Sequence, residues 1–148
     1  MKPVFWKLSQ GADYFSFEDI LQSIEDRLVY VHKDTPAKGQ SSITQGQAFK
    51  NADIGDYFYL THGNKGVYIL GQFTGPANFF SNMGEGWSDR PFRVIARAKT
   101  KDNYSGEKKW WSPNDNSTFI KVPESELNMF EEEILIPFFG LHLKDYGF

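Results

Sequence analysis

The 148-residue sequence contains no cysteine, which excludes disulfide scaffolds, thiolate zinc sites and cysteine nucleophiles. It also lacks any apolar run long enough to cross a bilayer, and its mean hydropathy is -0.50. Lys2 and Lys7 interrupt the first residues too early for the apolar core of a secretory signal. We therefore expect a cytoplasmic protein with no membrane partner.

Motifs of catalysis are missing as well. The three histidines, His32, His62 and His142, have a spacing that matches no metal motif. The sequence has neither a phosphate-binding loop of the Gly-x-x-x-x-Gly-Lys type nor a Gly-x-Ser-x-Gly nucleophile elbow. The acidic run Glu131–Glu133 is typical of a solvated helix face. We expect no enzyme activity in this chain, no metal and no cofactor.

Aromatic residues are abundant, at 17%, with 14 Phe, 7 Tyr and 4 Trp. The 13 Gly and 7 Pro indicate many turns and short strands. The net charge of -3 is unevenly distributed: residues 86–111 carry +4, while residues 112–148 carry -5. The basic stretch is a candidate phosphate-contacting surface, although a solvated strand edge would explain the same charges.

The pattern of apolar residues predicts short elements. Ser16 with Asp19 predicts a capping box that opens a helix over residues 17–26. A loop is predicted at 75–86, long enough to suggest a function. Further helices are predicted at 45–49 and 124–133, and strands at 4–8, 28–32, 57–61, 67–73, 92–99 and 117–122. These elements predict a single α+β domain over residues 1–148, built on a curled antiparallel sheet or small barrel of five to six strands with two to three short helices.

Two groups of tryptophans lie in polar company. Trp87 is flanked by glycines and charged residues, and Trp110–Trp111 follow two lysines. Such a side chain either caps the core from outside or offers a stacking surface to a flat ligand. Stacking of a base on an aromatic ring contributes about 1–3 kcal/mol, and neighbouring cations suit the phosphates.

Five segments form an ordered pattern over about residues 4–97: Val4–Ser9, Leu28–Thr35, Ile54–Leu60, Ile69–Phe73 and Gly86–Val94. This pattern resembles the EVE and YTH domains of the PUA-like group. Among these, the chain is most similar to the EVE-like domains at the N-terminus of McrB-type modification-dependent restriction proteins.

The resemblance implies a PUA-like fold and a reader of modified bases. The chain would be the excised N-terminal part of a longer protein, with an AAA+ GTP-hydrolysing region and a nuclease subunit as partners. Two positions depart from the family pattern. Ser9-Gln10-Gly11 stands where EVE domains have Ser-Glu-Pro, and Tyr30 or His32 replaces a tryptophan near the end of the second strand.

In such a reader a modified, typically methylated, base in DNA is turned out of the duplex into an aromatic cage. The resemblance makes Trp87 one wall and Tyr30 or His32 the other. The remaining pocket residues would be Trp6, Ser9, Gln10, Asp34 and Thr35. The residues expected to contact nucleic-acid phosphates are Lys33, Arg90, Arg93, Arg97, Lys99, Lys108 and Lys109.

Other functions stay open from the sequence. An RNA-binding module of the YTH or PUA-like type would have the same pattern, as would a protein-interaction domain whose aromatic residues are purely structural. A small-molecule enzyme ranks last. Methylated adenine, methylcytosine and larger adducts all fit an aromatic cage.

Overall fold

A computed structural model describes residues 3–39 and 41–147. Met1 and Lys2, at the start of the segment that was compared with a secretory signal, lie outside the described residues. The described residues form six strands and three α-helices. They are β1 (Phe5–Gln10), α1 (Phe17–Asp26), β2 (Leu28–His32), α2 (Gln45–Asn51), β3 (Tyr57–His62), β4 (Lys65–Phe73), β5 (Trp87–Arg97), β6 (Phe119–Lys121) and α3 (Leu127–Phe130). None of the helices in this part of the chain is long and apolar enough to cross a membrane.

The strands form one curled, half-barrel sheet in the order β2-β5-β4-β3-β1-β6. The α+β class and the curled sheet are confirmed, but the sheet is mixed. Strands β1 and β3 are parallel, because the chain crosses over through α1, β2 and α2 between them. The other pairs are antiparallel.

The side chain of Gln10 connects the two strands that face each other across the curl. Its Oε1 accepts a hydrogen bond from the Tyr30 N–H of β2 at 3.0 Å. Its Nε2 donates to Ser23 Oγ of α1 at 3.1 Å. One buried amide therefore connects β1, β2 and α1 at the end of the sheet where β1 finishes.

Helix α1 has the bounds that the sequence predicts. Ser16 Oγ accepts from the Asp19 N–H at 3.1 Å, and Asp19 Oδ2 accepts from the Ser16 N–H at 2.9 Å. This reciprocal pair confirms the capping box.

The two faces of the sheet carry separate cores. One contains Ile20 and Ile24 of α1, Phe49 of α2 and alternate residues of the strands. The other buries the C-terminal segment, which begins with a 3-10 turn at Glu124–Glu126, passes through α3 and continues as a π-helix over Glu131–Phe139. The predicted helix at 124–133 is thus six residues too short.

Candidate nucleic-acid interface

Strand β5 begins at Trp87, so this tryptophan lies in the sheet and not in the preceding loop. In the antiparallel pairing of β2 with β5, Trp87 is opposite His32 and Asp89 is opposite Tyr30. Paired residues project from the same face of a sheet, as do residues two apart along a strand. The pairing therefore places all four side chains on one face, at one end of β5.

Five rings meet there, and we call them the aromatic cluster: Tyr14, Phe15, Tyr30, His32 and Trp87. The ring of Trp87 is nearly perpendicular to its neighbours. Its centroid lies 5.2 Å from that of His32, 5.5 Å from that of Tyr14 and 5.6 Å from that of Phe15. Phe15 also lies 6.1 Å from Tyr30. Phe15 is 4% exposed, whereas Tyr14 is 71% exposed, so the cluster extends from the core to the surface.

Tyr14 and Phe15 are absent from the sequence-based site, although they are the residues that link its walls. The N–H groups of both donate to the Gly11 carbonyl, at 3.2 and 3.0 Å. His62 Nε2 lies 2.6 Å from the Phe15 carbonyl. They lie between the end of β1 and the N-cap of α1, and no local signal in the sequence places this segment against β2 and β5.

The backbone of Gly86 packs closely against the ring of His32. Gly86 has φ +86°, and a Cβ on this residue would lie 2.6 Å from His32 Nε2. The Lys33 N–H donates to the Gly86 carbonyl at 2.8 Å. The Asp34 N–H donates to His32 Nδ1 at 3.1 Å, and Thr35 Oγ1 donates to the His32 carbonyl at 2.8 Å. Lys33, Asp34 and Thr35 therefore form a turn beside the cluster.

A buried carboxylate lies beside the rings. Asp89 is 6% exposed. Burial, and then the negative charges of Asp89 and Asp26, raise the pKa of the Tyr30 hydroxyl above its usual value. The Tyr30 hydroxyl is therefore protonated and can donate a hydrogen bond, while Asp89 can accept one. Asp89 was missed because the predicted strand began only at residue 92, whereas β5 begins at Trp87, so the two-residue period of Trp87 and Asp89 was not recognised.

Ser9 and Gln10 are placed differently from the sequence-based expectation. Gln10 is 1% exposed and uses both amide atoms inside the fold. Ser9 is 7% exposed, and its Oγ donates to the Gly63 carbonyl at 3.1 Å. Both stabilise the sheet end beneath the aromatic cluster, and neither presents its polar group to a ligand there.

Trp6 does not join the aromatic cluster. It stacks on Phe119 at 4.3 Å, and its Nε1 donates to Asp56 Oδ2 at 3.0 Å. It lies four residues before Gln10 on β1, about 13 Å away at the rise of a strand. Trp6 instead lines a cavity of about 970 Å³ away from the aromatic cluster, which we call the lysine-lined cavity. Other residues around it include Lys38, Lys108, Lys109, Trp110 and Lys121.

Arg90 corrects the expected set of phosphate contacts. It is 1% exposed, and its guanidinium donates to the carbonyls of Phe49 at 3.0 Å, Ala52 at 2.5 Å and Gly75 at 2.9 Å. It also stacks over Phe73 at 4.4 Å. The expectation of a phosphate contact is wrong, because the guanidinium of Arg90 is buried and its hydrogen bonds connect the end of α2 to the loop after β4.

The other predicted cations are distributed over two regions. Lys33, Arg93, Arg97 and Lys99 are exposed. Arg93 Nε donates to Gln72 Oε1 at 2.6 Å. Lys108 and Lys109 lie at the lysine-lined cavity, where Lys109 Nζ is 3.0 Å from Glu126 and Lys108 Nζ is 3.9 Å from Asp115. The basic stretch therefore does not form one continuous surface.

Lys7 is a buried cation that the sequence did not single out. Its Nζ donates to the Asp115 carbonyl at 2.7 Å and to Ser117 Oγ at 3.0 Å. Burial is the main cause that lowers the pKa of this ammonium to about 7, against the opposing effect of Asp115. Lys7 thus fixes the segment before β6 from inside the protein.

The architecture is similar to that of two solved structures. A hypothetical protein from Leishmania major aligns with 88% of this chain and 96% of its own, at 16% identity and a TM-score of 0.53. Protein Atu2648 from Agrobacterium tumefaciens aligns with 97% of this chain and 93% of its own, at 15% identity and a TM-score of 0.52. No protein-family model and no curated protein matches the sequence. The likeness shows the fold and leaves the function to be argued from the site.

Proposed function

We propose that this domain reads a modified base in DNA, holding the base at the aromatic cluster after it has turned out of the duplex. The observation that carries the proposal is the convergence of Tyr14, Phe15, Tyr30, His32 and Trp87 at one end of the half-barrel. Turning out a base costs a few kcal/mol of stacking and pairing, and contact with aromatic rings offsets that cost.

Polar groups beside the rings supply edge recognition. The protonated hydroxyl of Tyr30 donates to a ring nitrogen or carbonyl of the base, and the carboxylate of Asp89 accepts from an exocyclic amino group. A methyl group that is buried among the rings contributes about 0.8 kcal/mol. Lys33, on the turn beside His32, contacts a flanking phosphate.

The sequence resemblance supports the same proposal. On that resemblance the half-barrel would be a PUA-like fold, and the chain would be an EVE-like reader of the kind found in McrB-type restriction proteins. The natural partners would then be an AAA+ GTPase region and a nuclease subunit, acting together in the cytoplasm.

RNA or single-stranded binding is the second candidate, and the lysine-lined cavity favours it. Trp110 is 51% exposed there, and Lys38 Nζ lies 5.7 Å from its ring centroid. An exposed indole among lysines is a suitable platform for an unpaired base.

A binding panel tests the two functions. One DNA duplex is prepared unmodified, with N6-methyladenine and with 5-methylcytosine, and its single-stranded and RNA versions are titrated alongside by fluorescence anisotropy. We expect tighter binding to one modified duplex than to the unmodified one. Equal affinity for all duplexes would contradict the reader function, and a preference for RNA would favour the second candidate.

A further inference from the structure

The loop between β4 and β5 carries an apolar side chain that projects into solvent. Phe80 is 91% exposed, more than any other large hydrophobic residue in the described part of the chain. Its neighbours Phe79 and Met83 are 59% and 36% exposed. A phenylalanine with this exposure contributes little to the core, and three exposed apolar side chains in one loop are a candidate interaction patch.

The backbone around Phe80 is held by hydrogen bonds. Asn78 and Asp89 exchange two backbone hydrogen bonds of 2.8 and 3.1 Å. The Phe80 N–H donates to Asn78 Oδ1 at 3.2 Å. Ser81, which is 8% exposed, accepts from the Gly84 N–H and the Met83 N–H at 3.2 Å each. The loop therefore presents Phe80 from a fixed base.

The same loop leads into the aromatic cluster. Phe80 and Trp87 each lie two residues beyond the Asn78–Asp89 pair, on opposite arms of the loop. The Trp87 N–H donates to the Gly84 carbonyl at 3.2 Å, which closes the turn between the arms. An exposed aromatic ring thus projects from the arm facing the proposed wall of the base site.

Cations flank this loop. Lys50 Nζ lies 5.0 Å from the ring centroid of Phe79, and Lys33 is tied to Gly86 by a backbone hydrogen bond of 2.8 Å. Glu85 is the exposed acid on the loop itself. A loop that exposes an apolar ring and has one lysine near Phe79 and another near Gly86 suits a base step, where the stacked bases lie between two phosphate chains.

We propose that Phe80 is a wedge that enters the base stack of duplex DNA where the flipped base has left it. This inference rests on the proposed function, because a wedge at this position is needed only if a base is turned out toward Trp87. Apolar side chains that insert between base steps replace part of the stacking that the flipped base gave up, and they hold the duplex open.

The test compares Phe80→Ala with the wild-type protein on the modified duplex and on the single strand that carries the same modified base. We expect the affinity for the duplex to fall by roughly 5- to 150-fold, while the affinity for the single strand stays within about twofold. Phe80→Leu, which keeps an apolar wedge, retains most of the affinity. Phe17→Ala is the matched control, since Phe17 is 49% exposed on α1 and lies outside the loop.

Each result decides the matter. If wild-type protein shows no preference for a modified duplex, the proposed function fails and the wedge with it. If wild-type protein prefers that duplex and Phe80→Ala binds it equally well, the wedge alone is overturned. Equal losses on duplex and single strand would make Phe80 a wall of the pocket and also overturn the wedge. Loss of self-association or of a protein partner, with DNA binding unchanged, would assign the exposed ring to a protein interface and overturn the wedge as well.

Discussion

Substitution of Trp87 can distinguish a role in ligand binding from a role in packing. It is half-buried and meets three rings at right angles, so its truncation removes packing as well as a stacking face. Trp111 is fully buried, with its Nε1 donating to Glu126 at 2.9 Å. The two tryptophans therefore make a matched pair for mutation.

We expect Trp87→Ala to reduce the affinity for the modified duplex by roughly 5- to 150-fold and to remove the preference over unmodified duplex. We expect Trp111→Ala to lower the free energy of unfolding by about 3–5 kcal/mol, and Trp87→Ala to lower it by less. Thermal unfolding and a binding titration on both variants check this. An unchanged preference for the modified duplex would exclude Trp87 from the base site.

Lys7 makes stability depend on pH. Its pKa is about 7 in the folded protein and about 10.5 in the unfolded chain, so between these values the unfolded state binds the extra proton. Stability therefore rises with pH across this window, by up to about 1.4 kcal/mol per unit, and is lost as the pH falls toward 7. Above about pH 10 the effect reverses, since burial raises the pKa of tyrosines such as Tyr59.

Urea unfolding between pH 7 and 9.5 measures this slope. We expect Lys7→Met to flatten it, while Lys65→Met, at an exposed position, leaves it unchanged. A slope that is the same in the Lys7→Met variant and the wild type would show that Lys7 stays protonated in the folded protein.

At the scale of elements, strand β5 carries two kinds of arginine: a buried one that stabilises the fold and others that face solvent. Arg90 donates to carbonyls at the end of α2 and in the loop after β4, whereas Arg93 is exposed on the same strand. Arg90→Met leaves three buried carbonyls without a donor, each at a cost of about 1–3 kcal/mol. We expect a loss of several kcal/mol in chemical unfolding, against less than about 0.5 kcal/mol for Arg93→Met. Equal effects of the two substitutions would contradict the structural role of Arg90.

The exposed arginines of β5 can be tested as phosphate contacts. Arg93 lies six residues from Trp87, roughly 20 Å along the strand, which a duplex lying along β5 would span. We expect Arg93→Ala with Arg97→Ala to weaken modified and unmodified duplex alike and to make the log–log salt slope shallower by about 0.9 for each phosphate that the variant no longer neutralises. The control removes the same charge at Lys65 and Lys144, two exposed lysines outside the lysine-lined cavity. If both double variants behave alike, the arginines form only a solvated surface.

At the scale of the whole molecule, the local signals in the sequence predicted local structure well. The Ser16–Asp19 capping box and the runs of β-forming residues in β2 and β3 depend on neighbours in the chain. The parallel pairing of β1 with β3 depends on a crossover that local patterns do not encode. The burial of Arg90 depends on main-chain carbonyls such as that of Gly75, and the burial of Gln10 depends on the Ser23 hydroxyl and the Tyr30 N–H, all of them distant in the sequence. Residue type and the resemblance therefore assigned these two to ligand contact.

The candidate site was predicted only in part for the same reason. Tyr30, His32 and Trp87 come together because β2 pairs with β5. Trp6 lines the lysine-lined cavity instead, since it lies at the start of β1 and not at its end. The described part of the chain consequently has two aromatic sites, the aromatic cluster and the lysine-lined cavity, and the function depends on which of them meets the base.

The indole N–H signals of the four tryptophans in ¹H–¹⁵N NMR spectra test most directly which of the two sites binds the base. Each signal is assigned by a single Trp→Phe substitution, and the modified duplex is titrated into ¹⁵N-labelled protein. We predict that the Trp87 signal shifts strongly, while those of Trp6 and Trp111, which donate to Asp56 and Glu126, stay in place. A shift of Trp110 with Trp87 unmoved would place the nucleic acid at the lysine-lined cavity and contradict a base site at the aromatic cluster.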